Sequence, residues 1–158
     1  MLIPLKQFYC DTCGQVIDSP DEGYTEWVVE SGYCKDFKII HNKPYSPHKE
    51  AGCSQYMSKE DIIDGSIALD RMISLGLPKL LSFLNDGNFA RHNTRSRIKE
   101  KDLKNFIDFF SRLIIPYYEE ARKHFAEAGS ELFQRELSGV DIYDLETLEK
   151  IAKEFSRD

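Results

Sequence analysis

The spacing of apolar positions changes near residue 57. Before it, Val, Ile and aromatic residues fall in short runs between turn-forming residues; after it they recur every three or four places. The runs at 25–30 and 37–41 predict two strands, and Ser31-Gly32 and Lys35-Asp36 between them predict a β-hairpin. A two-stranded hairpin is marginal alone and needs a metal or a packing partner. Further along, Ser58-Lys59-Glu60-Asp61 reads as a capping start, cut short by Gly65. Ile67, Leu69, Met72, Ile73 and Leu75 define a second helix that Gly76 ends, and Pro78 opens another with Leu77, Leu80, Leu81 and Leu84 inward.

The longest helical stripe, residues 102–128, carries Leu103, Phe106, Ile107, Phe110, Leu113, Ile114, Tyr117, Ala121 and Phe125. Pro116 removes a hydrogen bond inside it, so the stripe should kink or break there, its second part turning Tyr117, Tyr118 and Phe125 toward the hairpin. A final amphipathic helix starts at Asp144, with Leu145, Leu148, Ile151, Ala152 and Phe155 inward.

Composition places the 158-residue chain, 41% hydrophobic and 30% charged, among ordinary globular proteins. The longest apolar stretch, residues 113–118, is six long, far short of the roughly 18 needed to span a bilayer. The N-terminal segment lacks the apolar core of a secretory signal, which leads us to expect a cytoplasmic protein without a membrane partner. A net charge of −6 opposes general attraction to nucleic acid. One strip, residues 91–104, departs from this with six basic and two acidic residues.

The most specific chemistry is Cys10-Asp11-Thr12-Cys13-Gly14. Such a turn aims two thiolates at one cation, and the following glycine lets backbone amides turn toward the sulfurs. A redox pair would sit between a strand and a helix, but Gly14, Ser19-Pro20 and Asp21-Glu22-Gly23 follow here, so zinc is the expected occupant. Tetrahedral zinc needs two more ligands from Cys34, His41, His48 and Cys53. His41 ends the second strand and Cys53 follows Ala51-Gly52, making Cys10, Cys13, His41 and Cys53 the favoured set. Cys34, near the hairpin turn, and His48, in a polar loop, are the alternates. The predicted architecture is therefore α+β: a zinc-stabilised β-hairpin module, residues 1–57, packed on a mainly helical region, residues 58–158.

The order Cys-Asp-x-Cys-Gly at 10–14, Gly23-Tyr24-x-x-Trp27, Phe37-Lys38-Ile39-Ile40-His41 and a later cysteine resembles a group of poorly characterised small proteins of bacteria and their phages. Pro116-Tyr117-Tyr118-Glu119-Glu120-Ala121-Arg122 is similar to that group as well. The resemblance implies a metal-binding N-terminal module joined to a helical region and brings no activity with it.

Catalysis is the minority reading. A hydrolytic zinc has three protein ligands and an open water position, whereas a knuckle rich in thiolates favours a closed site. Deaminase, His-Glu-x-x-His and phosphate-loop signatures are missing from the sequence. Glu120 and His124, four apart, are a weak candidate ligand pair. The sequence thus favours a zinc-stabilised protein that binds another protein and acts as a regulator or inhibitor. Arg91, Arg95 and Arg97 are candidate partner-binding residues, and Glu119, Glu120, Glu127, Glu131 and Glu136 form a candidate acidic face. A nucleic-acid-binding regulator using the basic strip is the alternative, with a zinc-dependent hydrolase behind it.

Overall fold

The computed structural model describes residues 1–56, 63–84, 98–128 and 143–155. Two short strands, β1 (Phe8–Tyr9) and β2 (Val16–Ile17), pair antiparallel around the Cys10-x-x-Cys13 turn. The hairpin β3 (Gly23–Glu30) and β4 (Tyr33–His41) follows, turning at Ser31 and Gly32, both with positive φ as a tight hairpin turn requires. Its register slips between Glu26 and Val28. Asn105 fills the irregularity by accepting the Phe37 N–H at 2.8 Å and donating to the Phe37 carbonyl at 3.3 Å.

A third strand, β5 (Ile63–Ala68), pairs antiparallel with β3 and completes the order β4-β3-β5. The capping start expected at 58–61 lies outside the described residues; from Ile63 the chain runs as sheet, and the helix expected around Ile67–Leu75 begins only at Leu69. Ile67, expected on a helix, lies opposite Thr25 in the sheet. Gly65 does not end a helix; a Cβ there would come within 2.2 Å of the Trp27 indole, which lies directly over it.

Helix α1 (Leu69–Ser82) is broken at Gly76, whose φ of +55° and ψ of −149° are not helical, so the two short helices expected on either side of it meet at a sharp bend. Leu80 is buried, but Leu77, Leu81 and Leu84 are exposed, correcting the expectation that all four face inward. Helix α2 (Leu103–Ile114) lays Phe106, Phe109 and Leu113 on the sheet. There they meet Trp27, Phe37 and Phe83.

The stripe breaks at Pro116. Tyr117 takes a left-handed φ of +66°, and α3 (Tyr118–Ala121) starts in a new direction. Tyr118, Ala121 and Ala128 form a second small core with Leu148 and Ile151 of α4 (Leu145–Phe155). Tyr118 and Phe125 therefore pack on the C-terminal helix and not on the hairpin. What reaches the N-terminal turn from this segment is the neighbouring charged set, Glu119, Glu120 and Arg122. Helix α4 is capped as its sequence requires, Asp144 accepting the Thr147 N–H at 3.0 Å. No described helix is long and apolar enough to cross a membrane.

Candidate metal centre

Three segments deliver four ligand atoms to a single corner, the first of them a pair. In the first, Gly14 adopts φ +74° and its N–H closes back on the Cys10 carbonyl at 2.9 Å, so Cys10 and Cys13 face the same side of the turn. This turn is docked on β4: the Asp11 N–H donates to the Ile39 carbonyl at 2.8 Å, and Asp11 Oδ2 accepts the Ile39 N–H at 2.7 Å. Two residues later β4 ends at His41. Its Nε2 lies 3.1 Å from the Val16 carbonyl, which selects the tautomer with Nε2–H and leaves Nδ1 free to ligate.

Cys53 arrives on the loop after β4. The Gly52 N–H closes on the His48 carbonyl at 2.6 Å, with Gly52 at φ +72°. The Thr12 hydroxyl donates to the Cys53 carbonyl at 2.7 Å, and the Ser46 hydroxyl lies 3.1 Å from Cys53 Sγ. The loop is also pinned to the open face of the sheet by fully buried Glu26, which accepts the Ser54 hydroxyl at 2.7 Å and the Gln55 N–H at 3.2 Å. A cleft of about 330 Å³ opens beside His41 and Cys53, with Tyr24, Asn42 and Lys43 in its walls.

The result is a cluster of Cys10, Cys13, His41 and Cys53 whose ligand atoms all lie within 4.8 Å of one another. His41 Nδ1 is 3.5 Å from Cys13 Sγ and 3.9 Å from Cys53 Sγ. Zinc–sulfur and zinc–nitrogen bonds of about 2.3 and 2.0–2.1 Å imply tetrahedral sulfur-to-nitrogen edges of roughly 3.6 Å, so the spacing suits one tetrahedral ion. Burial pushes the Cys53 thiol up to about 11 against the pull of the Ser46 hydroxyl, and it raises the Cys13 thiol too. A divalent cation reverses that preference by supplying the missing positive charge. The donor set can therefore hold a metal ion.

The two alternates lie elsewhere. Cys34 stands on β4 opposite Val29, fully buried in the sheet–helix core, where burial raises its thiol to about 11. His48 is exposed, and only its backbone shapes the Cys53 loop. Arg91, Arg95 and Arg97 lie outside the described residues; Lys99 of the same strip sits over the Tyr33 ring at 4.7 Å. The proposed acidic face is corrected at two positions. Glu119 and Glu120 are buried, bonded to Arg112, Arg122, Tyr9 and the Leu2 N–H. Glu120 and His124 do not converge on a shared ligand, since His124 stacks on Phe155 and approaches Glu127.

Sequence reasoning also passed over Arg112. Its signal was position: it lies three residues after Phe109 and directly before Leu113, within the apolar face of α2. A charge there must be paired. The chain matches no family model, no curated protein and no solved structure.

Proposed function

We propose that this is a zinc-stabilised binding protein, one that docks on another protein as a regulator or inhibitor and uses the ion for architecture. The observation that carries the reading is the donor set itself. Three thiols and one imidazole supply all four tetrahedral positions, with Cys10, His41 and Cys53 buried. Four protein ligands leave no position for the water that a hydrolytic zinc activates, and thiolate-rich Cys3His sets suit zinc over oxygen-preferring cations.

A protein partner is favoured by the outer side of α1, where Leu77 and Leu81, four residues apart beyond the Gly76 bend, are 49% and 47% exposed. Clustered exposed leucines mark contact surfaces in soluble proteins. The likeness to small bacterial and phage proteins belongs to the same proposal. Purified protein should carry one equivalent of zinc by elemental analysis. Affinity capture with the parent and with Leu77→Glu/Leu81→Glu bait should yield a protein partner that only the parent retains. Metal-free protein from metal-replete cells would defeat the zinc reading, and equal retention by the two baits would defeat the α1 surface.

A further inference from the structure

One buried guanidinium holds the Cys10-x-x-Cys13 turn from both flanks of Cys10. Arg112 is only 2% exposed and projects from α2, whose Phe106, Phe109 and Leu113 fill the main core. Its Nη2 donates to the Tyr9 carbonyl at 2.8 Å and its Nη1 to Asp11 Oδ2 at 2.7 Å. Its Nε and Nη2 also grip Glu119 at 2.6 and 2.9 Å. The two carboxylates carry backbone as well: Glu119 accepts the Tyr9 N–H at 2.7 Å, and Asp11 accepts the Ile39 N–H at 2.7 Å. Arg122 closes the ring, 3.0 Å from Glu119 and 3.5 Å from Asp11.

Buried ion pairs are weak sources of net stability, because desolvation offsets their attraction. What a guanidinium supplies is a rigid planar fork of donors, and here the fork fixes residues 9 and 11 relative to the helical core. Ile39, held by Asp11, stands two residues before the ligand His41 on β4, so the same network sets the turn against the strand that brings the imidazole.

We infer that Arg112 is a positioning residue for the metal centre: acting through Asp11 and Tyr9, it holds Cys10 and Cys13 where they can ligate, and so couples metal affinity to the docking of the N-terminal turn on α2 and α3. The inference rests on the metal reading above. Coupling of this kind is reciprocal, so the ion in turn tightens the docking. Outer groups that orient ligands are worth about 10–100-fold in metal affinity.

The test uses the full chain with Co²⁺ and Zn²⁺ as probes, competed against a chromophoric chelator, in the parent, Arg112→Lys and Asp11→Asn. Both variants should still take one equivalent of Co²⁺ with a tetrahedral spectrum, but about 10–100-fold more weakly than the parent. Their metal-free forms should keep the parent's near-ultraviolet circular dichroism, to which Trp27 in the main core contributes. Metal should slow hydrogen exchange at the Tyr9 and Ile39 amides in the parent and much less in Arg112→Lys. Should Arg112→Lys fail to fold, Asp11→Asn carries the test, because that side chain is 21% exposed and its amide oxygen can still accept the Ile39 N–H. Parent-like affinity in Asp11→Asn overturns the inference, as does a loss fully explained by unfolding of the metal-free form. A parent that takes up neither metal overturns the metal reading itself, and this inference with it.

Discussion

Phe37 is surrounded by Trp27, Phe83, Phe106 and Phe109 at ring-centroid distances of 5.1–5.8 Å. Cys10, also buried, has as its close company two thiols, an imidazole and a turn tethered to paired ions. The first neighbourhood is held by apolar area and ring packing, which act without direction and scale with surface removed from water. The second is held by directional cross-links whose worth depends on every partner being present. The sheet–helix core should therefore lose stability in increments as side chains are trimmed. The ligand corner should fail as a unit when one link is removed.

The largest effect expected is at the corner. Structural zinc contributes about 10–16 kcal/mol of apparent binding free energy in small peptides. Cys10→Ser should abolish tight metal binding and strip protection from the amides of Asp11 and Gly14, and Cys53→Ser should bind metal far more weakly than the parent. The Trp27 circular dichroism should persist. Simultaneous collapse of both regions in hydrogen exchange would erase the distinction drawn between them.

Phe109→Ala tests the other side of the comparison. Removing this fully packed ring should cost about 3–5 kcal/mol in urea unfolding. The variant should still bind one metal ion with near-parent affinity, since the ligand atoms are held by the hydrogen bonds of the turn and the Cys53 loop, although Phe109 shares one packed cluster with Cys10 and Cys53. Loss of the metal together with the ring would mean that the corner depends on the core for more than its anchor.

Two glycines sharpen the contrast further. A Cβ on Gly65 would overlap Trp27, so Gly65→Ala should cost about 1–3 kcal/mol by overpacking, in the core alone. Gly14 has open space around its Cα, and only its φ of +74° resists a side chain. Gly14→Ala should cost about 1–2 kcal/mol, read out as weaker metal binding. Thermal melts paired with chelator competition separate the two.

The smallest effect concerns Cys34. Burial raises its thiol from 9.0 to about 11 in the folded protein, so folding favours the protonated form. That contribution is whole below pH 9 and is lost as pH rises through 11, amounting to about 1 kcal/mol by pH 10. Parent and Cys34→Ala stability, compared from pH 8 to 11, should diverge accordingly; parallel curves would contradict the buried assignment.

Legibility from sequence followed the range of the forces involved. The hairpin was readable because alternation and the Ser31-Gly32 turn are local, and the Cys10-x-x-Cys13-Gly14 turn because its geometry needs only five residues. Strand β5 was not readable. Ile63 and Ile67 are spaced like helix neighbours, and the reason for Gly65 lies on Trp27, 38 residues away in the chain. Glu119 and Glu120 read as surface charges because nothing local announces their burial; they are buried by pairing, Glu119 with Arg112, whose place in the apolar face of α2 was the one local sign, and both with the N-terminal segment. The exposed leucines of α1 misled in the opposite direction. Helical spacing reports a stripe, but which leucines are covered depends on the bend at Gly76 and on the sheet.

The central claim is that Cys10, Cys13, His41 and Cys53 bind one ion through all four side chains. Cobalt titration of the metal-free full chain tests it most directly. One equivalent should bring up tetrahedral d–d bands and thiolate-to-cobalt charge transfer sized for three sulfurs, falling by a third in Cys53→Ser and unchanged in Cys34→Ala. A weak octahedral spectrum, or charge transfer that survives in Cys53→Ser and drops in Cys34→Ala, would contradict the account.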